Sequence, residues 1–218
     1  MLSKNKENYF KLFEKQIFSL AVSDNKPSLL LHACCGPCST HVLELLGEHF
    51  NLSIFYYNPN IYPETEYNRR LDELLTFLKN TTQNISVITP PFDETEFYEG
   101  IEIKKHPEFQ NEKEMGERCG KCYHFRLEKT ALKAKELQYD YFTTTLSISP
   151  FKDAQKINSE GKLIEAKIEE LYPKEKNPLF LYGDFKKKGG FQRSLEISKD
   201  YGLYRQEYCG CVFSMKNR

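Results

Sequence analysis

The 218-residue chain has no tryptophan and no excess charge of either sign: 31 Lys and Arg are matched by 31 Asp and Glu. A formal charge of zero excludes a global field that would draw in a nucleic acid, and leaves that role to local basic surface. Long apolar runs are also missing. The longest, around Leu29–Leu31, is far too short to span a bilayer. The opening 1-MLSKNKENYF-10 is charged and lacks an apolar signal region, so the sequence predicts a cytoplasmic protein with no membrane partner, its thiols kept reduced. There is no internal repeat, low-complexity tract or linker, and residues 1–218 read as one α/β domain able to bury a substantial core.

Cysteine, by contrast, is plentiful. Seven residues fall into three groups: Cys34, Cys35 and Cys38; Cys119 and Cys122; Cys209 and Cys211. Buried inert thiols are an ordinary reading for any one cysteine, but they do not account for three groups at such close spacings. In a reducing compartment this pattern points to metal binding or redox chemistry.

Short β-rich runs at 28-SLLLHA-33, 52-LSIFYYN-58, 85-ISVIT-89 and 141-YFTTTL-146, with a weaker fifth at 179-LFLYG-183, alternate with helical patterns. Helices are predicted from Pro37 onward, over 63–80, over 117–138 and over 150–172, the last weakened by Gly161. A leading helix is predicted over Lys4–Val22. The alternation predicts an α/β fold with an open, mainly parallel sheet flanked by helices. In such sheets ligands bind beyond the carboxyl ends of the strands, which is where 33-ACCGPCS-39 falls.

Three chemistries fit the cysteines. Strand–CGPC–helix is a thioredoxin context, where a helix N-terminus makes a thiol reactive; that reading leaves four downstream cysteines without a task. Cys35-x2-Cys38 with Cys119-x2-Cys122 can build a four-thiolate zinc site, although about 80 residues separate pairs that a zinc ribbon keeps about 15–20 apart. A 4Fe–4S cluster also takes four thiolates and need not draw them from one compact run. Cys119 and Cys122, three apart on a helix, share one face. Spacing does not separate iron from zinc.

Read together, 34-CCGPCS-39, 57-YNPNIYP-63, 117-ERCGKCYHFR-126, 143-TTTLSISP-150, 184-DFKKKGG-190 and 204-YRQEYCGC-211 resemble the QueH family of epoxyqueuosine reductases. The blocks follow in matching order over roughly 175 residues. One departure is Gly36, where the family pattern leads one to expect Ala. The resemblance implies a HUP/PP-loop-like, Rossmann-like fold and the last step of queuosine synthesis. In that step the epoxide of epoxyqueuosine, at the tRNA wobble position, is reduced to the cyclopentene. It implies an iron–sulfur cluster, a second, mononuclear iron beside it, and an external electron donor.

On that footing the cluster is expected on Cys34, Cys35, Cys119 and Cys122, with Cys38 either a further metal ligand or a buried helix thiol. Cys209 and Cys211 are expected to form a redox-active disulfide pair, the competing reading making them ligands to the second iron. Asp184 is a candidate oxygen ligand or proton donor, or else a helix N-cap. For substrate contact, Tyr57, Tyr62 and Tyr123 are candidate base-stacking residues. The basic stretch with Lys186, Lys187, Lys188 and Arg193, together with Arg126 and Arg205, is the candidate phosphate-binding surface. His32 and His124 are assigned to no metal. A zinc-stabilised tRNA-binding module is the non-enzymatic alternative.

Overall fold

Five short strands line up in parallel in a computed structural model of the chain, which describes residues 6–20, 25–81 and 84–216. They are β1 (Ser28–His32), β2 (Asn51–Phe55), β3 (Ser86–Ile88), β4 (Tyr141–Thr144) and β5 (Leu179–Phe180), in the order β3-β2-β1-β4-β5. The helices are α1 (Tyr9–Leu20), α2 (Gly36–Gly47), α3 (Glu64–Lys79), α4 (Thr95–Gly100), α5 (Glu117–Glu136), α6 (Ala154–Leu171), α7 (Gly190–Asp200) and α8 (Val212–Lys216).

The central strand explains the layering. Leu29, Leu30 and Leu31 have no exposed surface, and successive side chains of a strand point to opposite faces. Leu29 and Leu31 pack with Phe13 of α1 and with Leu43 and Leu46 of α2. Leu30 packs with Leu127 and Ala131 of α5 and with Ile164 and Ile168 of α6. A strand buried on both faces needs this unbroken apolar run, and each such leucine contributes about 1.5–3 kcal/mol by its burial.

The predicted α/β architecture is observed, with local differences. The predicted strand runs are longer than the strands, because Tyr56–Asn58, Thr145–Leu146 and Leu181–Gly183 leave the sheet to build loops. Helix α6 starts at Ala154 and not at 150, since a turn closed by the Lys152 N–H on the Ser149 carbonyl follows the 3-10 turn (Thr145–Ile148) and Asp153 caps the helix, accepting from the N–H groups of Gln155 and Lys156. Gly161 is a contact point, not a weak point: a Cβ there would lie 2.3 Å from the Phe180 ring. Helix α7 occupies part of the stretch read as a basic loop. Of the predicted Lys4–Val22 helix, α1 is its described helical part; positions 4, 5, 21 and 22 lie outside the described residues. Among the described residues no helix is long and apolar enough to cross a membrane.

Candidate metal centre

Strand β1 delivers the first thiols. His32 ends it, held between Thr144 Oγ1 (2.8 Å) and the Tyr57 carbonyl (3.1 Å). Burial pushes the imidazole down to about 3, so the ring is neutral, Nε2–H donating to the carbonyl and Nδ1 accepting from the hydroxyl. Two residues later the backbone turns into α2, whose cap is Cys35: its Sγ accepts from the Cys38 N–H at 3.4 Å. The Sγ atoms of Cys34, Cys35 and Cys38 all lie within 4.8 Å of one another, the only set of three His, Cys, Asp or Glu ligand atoms this close among the described residues. Gln206 Nε2 donates to Cys35 Sγ at 3.0 Å. Hydrogen bonds from Cys35 and Cys38 pull the Cys34 thiol well below its ordinary range, helped by Lys152 and Arg126, while burial pushes Cys35 up. The triad favours a single shared thiolate.

Helix α5 and the 204–211 segment supply the rest. Glu112 organises the α5 start by accepting from the N–H groups of Glu117 (2.8 Å) and Arg118 (2.7 Å). From there Cys119 and Cys122 face Cys209 and Cys211 across a narrow cavity of about 20 Å³, bordered also by Asn60, Tyr123 and Arg126. A wider cavity of about 160 Å³ is bordered by Cys34, Cys38, Lys152 and Cys209. Cys209 borders both. The seven thiols therefore group as 34/35/38 and 119/122/209/211, and the set expected to hold the cluster is divided between them. All seven are free, so Cys209 and Cys211 stand as a dithiol.

Cations surround these thiols, Arg118 and Arg126 buried and Lys152 half-buried. Lys152 Nζ donates to Cys209 Sγ at 3.3 Å. Arg126 Nη1 lies 3.9 Å from Cys122 Sγ, and its Nη2 donates to Asn58 Oδ1 at 2.5 Å. Arg118, equally buried, donates to the Phe109 carbonyl. None of the three has a carboxylate partner among the described residues. A buried cation without a counter-charge costs several kcal/mol, and burial pushes the nearby Cys119 and Cys122 thiols up, to about 12 and about 11, so without a bound metal they do not supply it. Burial pulls Lys152 down, but Cys209, Cys34 and Tyr123 outweigh it and raise the ammonium above its ordinary range. Asn60 Oδ1, Arg118 Nη2, Arg126 Nε and Gln206 Oε1 are buried without hydrogen-bond partners. Soft sulfur donors, compensating cations and orphaned polar atoms fit a thiolate-held metal group.

A clamp fixes the last two thiols. Arg70, held by Glu66 at 2.7 Å, donates to the carbonyls of Cys209 (3.1 Å) and Tyr208 (3.3 Å). The Tyr62 N–H donates to the Gly210 carbonyl at 2.8 Å. Gly210 has φ 128°, and a Cβ there would lie 3.0 Å from Arg70 Nη1. Only glycine suits both conditions.

The other expected site residues are distributed unevenly. Tyr123 and Arg126 border the narrow cavity and Arg205 the wider one. Tyr62 lies beside the Cys209–Cys211 turn, where Tyr208 donates to its carbonyl. Tyr57 is interior, stacked on Phe55 and donating to Glu96. Asp184 borders neither cavity; it pairs with Lys186 at 2.8 Å and caps no helix, since α7 begins six residues later. Lys187 and Lys188 are exposed. Arg193 lies on α7 and is engaged by Glu44 at 2.6 and 3.1 Å. His124 pairs with Glu160. Sequence reasoning missed Arg70, Arg118, Lys152 and Gln206. Arg118, adjacent to a cysteine motif, carried a readable signal, whereas Lys152 carried none, because lysine is normally solvated.

Comparison with known proteins adds a family. A family model described as Epoxyqueuosine reductase QueH matches residues 29–217. A protein of that name from Staphylococcus aureus is 37% identical over 217 residues, covering 98% of this chain and 86% of that protein. One from Streptococcus pyogenes serotype M1 is 35% identical over 216 residues, covering 99% and 81%. Another, from Thermotoga maritima, is 34% identical over 198 residues, covering 88% and 92%.

Proposed function

The chain belongs to the epoxyqueuosine reductase QueH family, and from that premise we propose that it deoxygenates epoxyqueuosine at the tRNA wobble position, with its cysteines holding an iron–sulfur centre. It is an oxidoreductase. In this reaction two C–O bonds break and a C=C bond forms; two electrons and two protons are consumed, and the oxygen leaves as water. The observation that carries the reading is the convergence of seven thiols and three cations without carboxylate partners among the described residues, Arg118 and Arg126 buried and Lys152 half-buried, beyond the carboxyl end of β1.

We assign a 4Fe–4S cluster to Cys34, Cys35, Cys119 and Cys122, with Cys38 as a further metal ligand. Support comes from Cys209, which borders both the Cys34–Cys38 cavity and the Cys119–Cys122 cavity and so brings the two thiol groups beside each other. Such a centre, with a second iron, supplies electrons singly and a Lewis-acid position for the epoxide oxygen. The chain's own residues do the rest. Arg118, Arg126 and Lys152 place positive charge beside the thiols, where it would offset the charge of thiolate ligands. Lys152 Nζ holds a proton on the wall of the wider cavity, whereas Asp184 is engaged with Lys186 outside it. The Cys209–Cys211 dithiol, on closing to a disulfide, releases two electrons and two protons, which matches the stoichiometry; an external donor then reopens it. Lys187 and Lys188, exposed and without ion-pair partners among the described residues, suit tRNA phosphates.

The close packing of Cys34, Cys35 and Cys38 favours a second reading, a single zinc ion in a tRNA-binding module. One experiment separates the two. Anaerobically purified protein, given epoxyqueuosine-tRNA and a chemical reductant, is expected to contain iron and sulfide and to yield queuosine on nucleoside analysis. Colourless protein that carries zinc and returns the tRNA unchanged would reject the reductase.

A further inference from the structure

The wider cavity has an aromatic lip that the chemistry above does not use. Phe151 borders this cavity yet is 70% exposed, although phenylalanine is among the residues most often buried. It does not dangle. Its N–H donates to Ser149 Oγ at 3.2 Å, Pro150 precedes it, and the next residue, Lys152, is anchored on Cys209. Asp153 then caps α6. An apolar ring is thus held in solvent by a fixed backbone. Arg205 borders the same cavity, exposed and without an ion pair among the described residues.

Size decides what remains outside. A cavity of roughly 150 Å³ holds about one benzene-sized ring, and this one measures about 160 Å³. A small carbocycle can enter; the nucleobase that carries it cannot follow. The base must rest at the mouth, and a base at rest needs a flat apolar surface. We propose that Phe151 is the platform on which an unpaired base of the RNA loop stacks at the mouth of the Cys34–Cys38–Cys209 cavity, with Arg205 facing its phosphate. This rests on the tRNA reading above. Stacking suits a single-stranded loop, because every unstacked base offers a π-face.

The absence of tryptophan makes the test direct, since Phe151→Trp introduces a single indole. Its emission is expected to be quenched, saturably, by an anticodon stem–loop RNA, and to be left alone by the same stem closed as a duplex. Phe151→Ala is expected to weaken stem–loop binding by about 5- to 100-fold and to raise KM more than it lowers kcat, with metal content unchanged. Stem–loop RNA that binds Phe151→Trp without changing its emission, or binds Phe151→Ala as tightly as the unaltered chain, would overturn the platform alone. Unaltered chain that binds no stem–loop RNA would remove the tRNA reading and the platform with it. A Phe151→Ala defect confined to turnover with a protein electron donor would reassign the lip to that donor and also overturn the proposal.

Discussion

The arginine at position 126 shows how one side chain can be costly in one state and needed in another. It is fully buried, its nearest sulfur is Cys122 Sγ at 3.9 Å, and one of its nitrogens has no partner. Replacing a buried ion by an apolar side chain of similar length is often neutral or stabilising, provided its counter-charge is absent too. Arg126→Met is therefore expected to leave the thermal stability of metal-free protein within about 2 kcal/mol of the original, the lost bond to Asn58 offsetting the relief. Iron retained through anaerobic purification is expected to fall by more than half. Full retention, with a large loss of metal-free stability, would make Arg126 a packing residue only.

Among the elements, two glycines predict opposite outcomes. Gly36 opens α2, and a Cβ there would meet the Glu73 backbone at an ordinary 3.4 Å, so the alanine expected by family resemblance fits. Gly36→Ala is expected to leave thiol chemistry intact and add up to about 1 kcal/mol in denaturant unfolding. Gly210→Ala meets both strain and Arg70, and is expected to cost about 1–3 kcal/mol and impair turnover while far-UV dichroism stays native. Helix α6 offers a pH test. Burial raises the Glu165 carboxyl, which accepts from the Phe180 N–H. A group raised in the fold contributes stability at low pH and loses it as pH rises through the folded value, so at neutral pH its charge is a cost. Glu165→Gln is expected to raise Tm at pH 7.5 by about 2 °C, with the gain gone below the ordinary glutamate range near 4.3. The strands and long helices were legible because hydrophobic period is local. Helix α7 was not: its first residue is glycine because a Cβ there would lie 2.0 Å from the Phe185 carbonyl oxygen, a tertiary demand that looks in sequence like a flexible loop. The cysteine grouping was hidden for the same reason. It depends on where 204–211 docks, and Arg70, which docks it, belongs to no motif.

For the whole molecule, balanced charge makes any polyanion contact local and countable. Each phosphate contact contributes roughly 0.7–0.9 to the slope of log affinity against log salt. A Lys186, Lys187 and Lys188 triple alanine variant is expected to reduce that slope for tRNA by about 1.4–2.7, the lower end applying if Lys186 stays committed to Asp184. Arg193→Ala is expected to change it little, because Glu44 already neutralises that guanidinium. Filter binding between 50 and about 200 mM salt reads both variants, and a slope unchanged by the triple variant would release the loop from any tRNA role. The clamp on Cys209 and Cys211 has a further consequence, in time. Domains emerge from the ribosome amino end first. Strands β1 to β5 and the partners Glu66 and Arg70 are all synthesised before the segment that Arg70 grips. The nascent chain thus passes through an interval in which Cys34, Cys35, Cys38, Cys119 and Cys122 are already made and the wall carrying Cys209 and Cys211 is not. During that interval the thiols face the cell's metal pool with one side open, so the order of synthesis gives whatever loads the centre a wider door than the finished protein keeps.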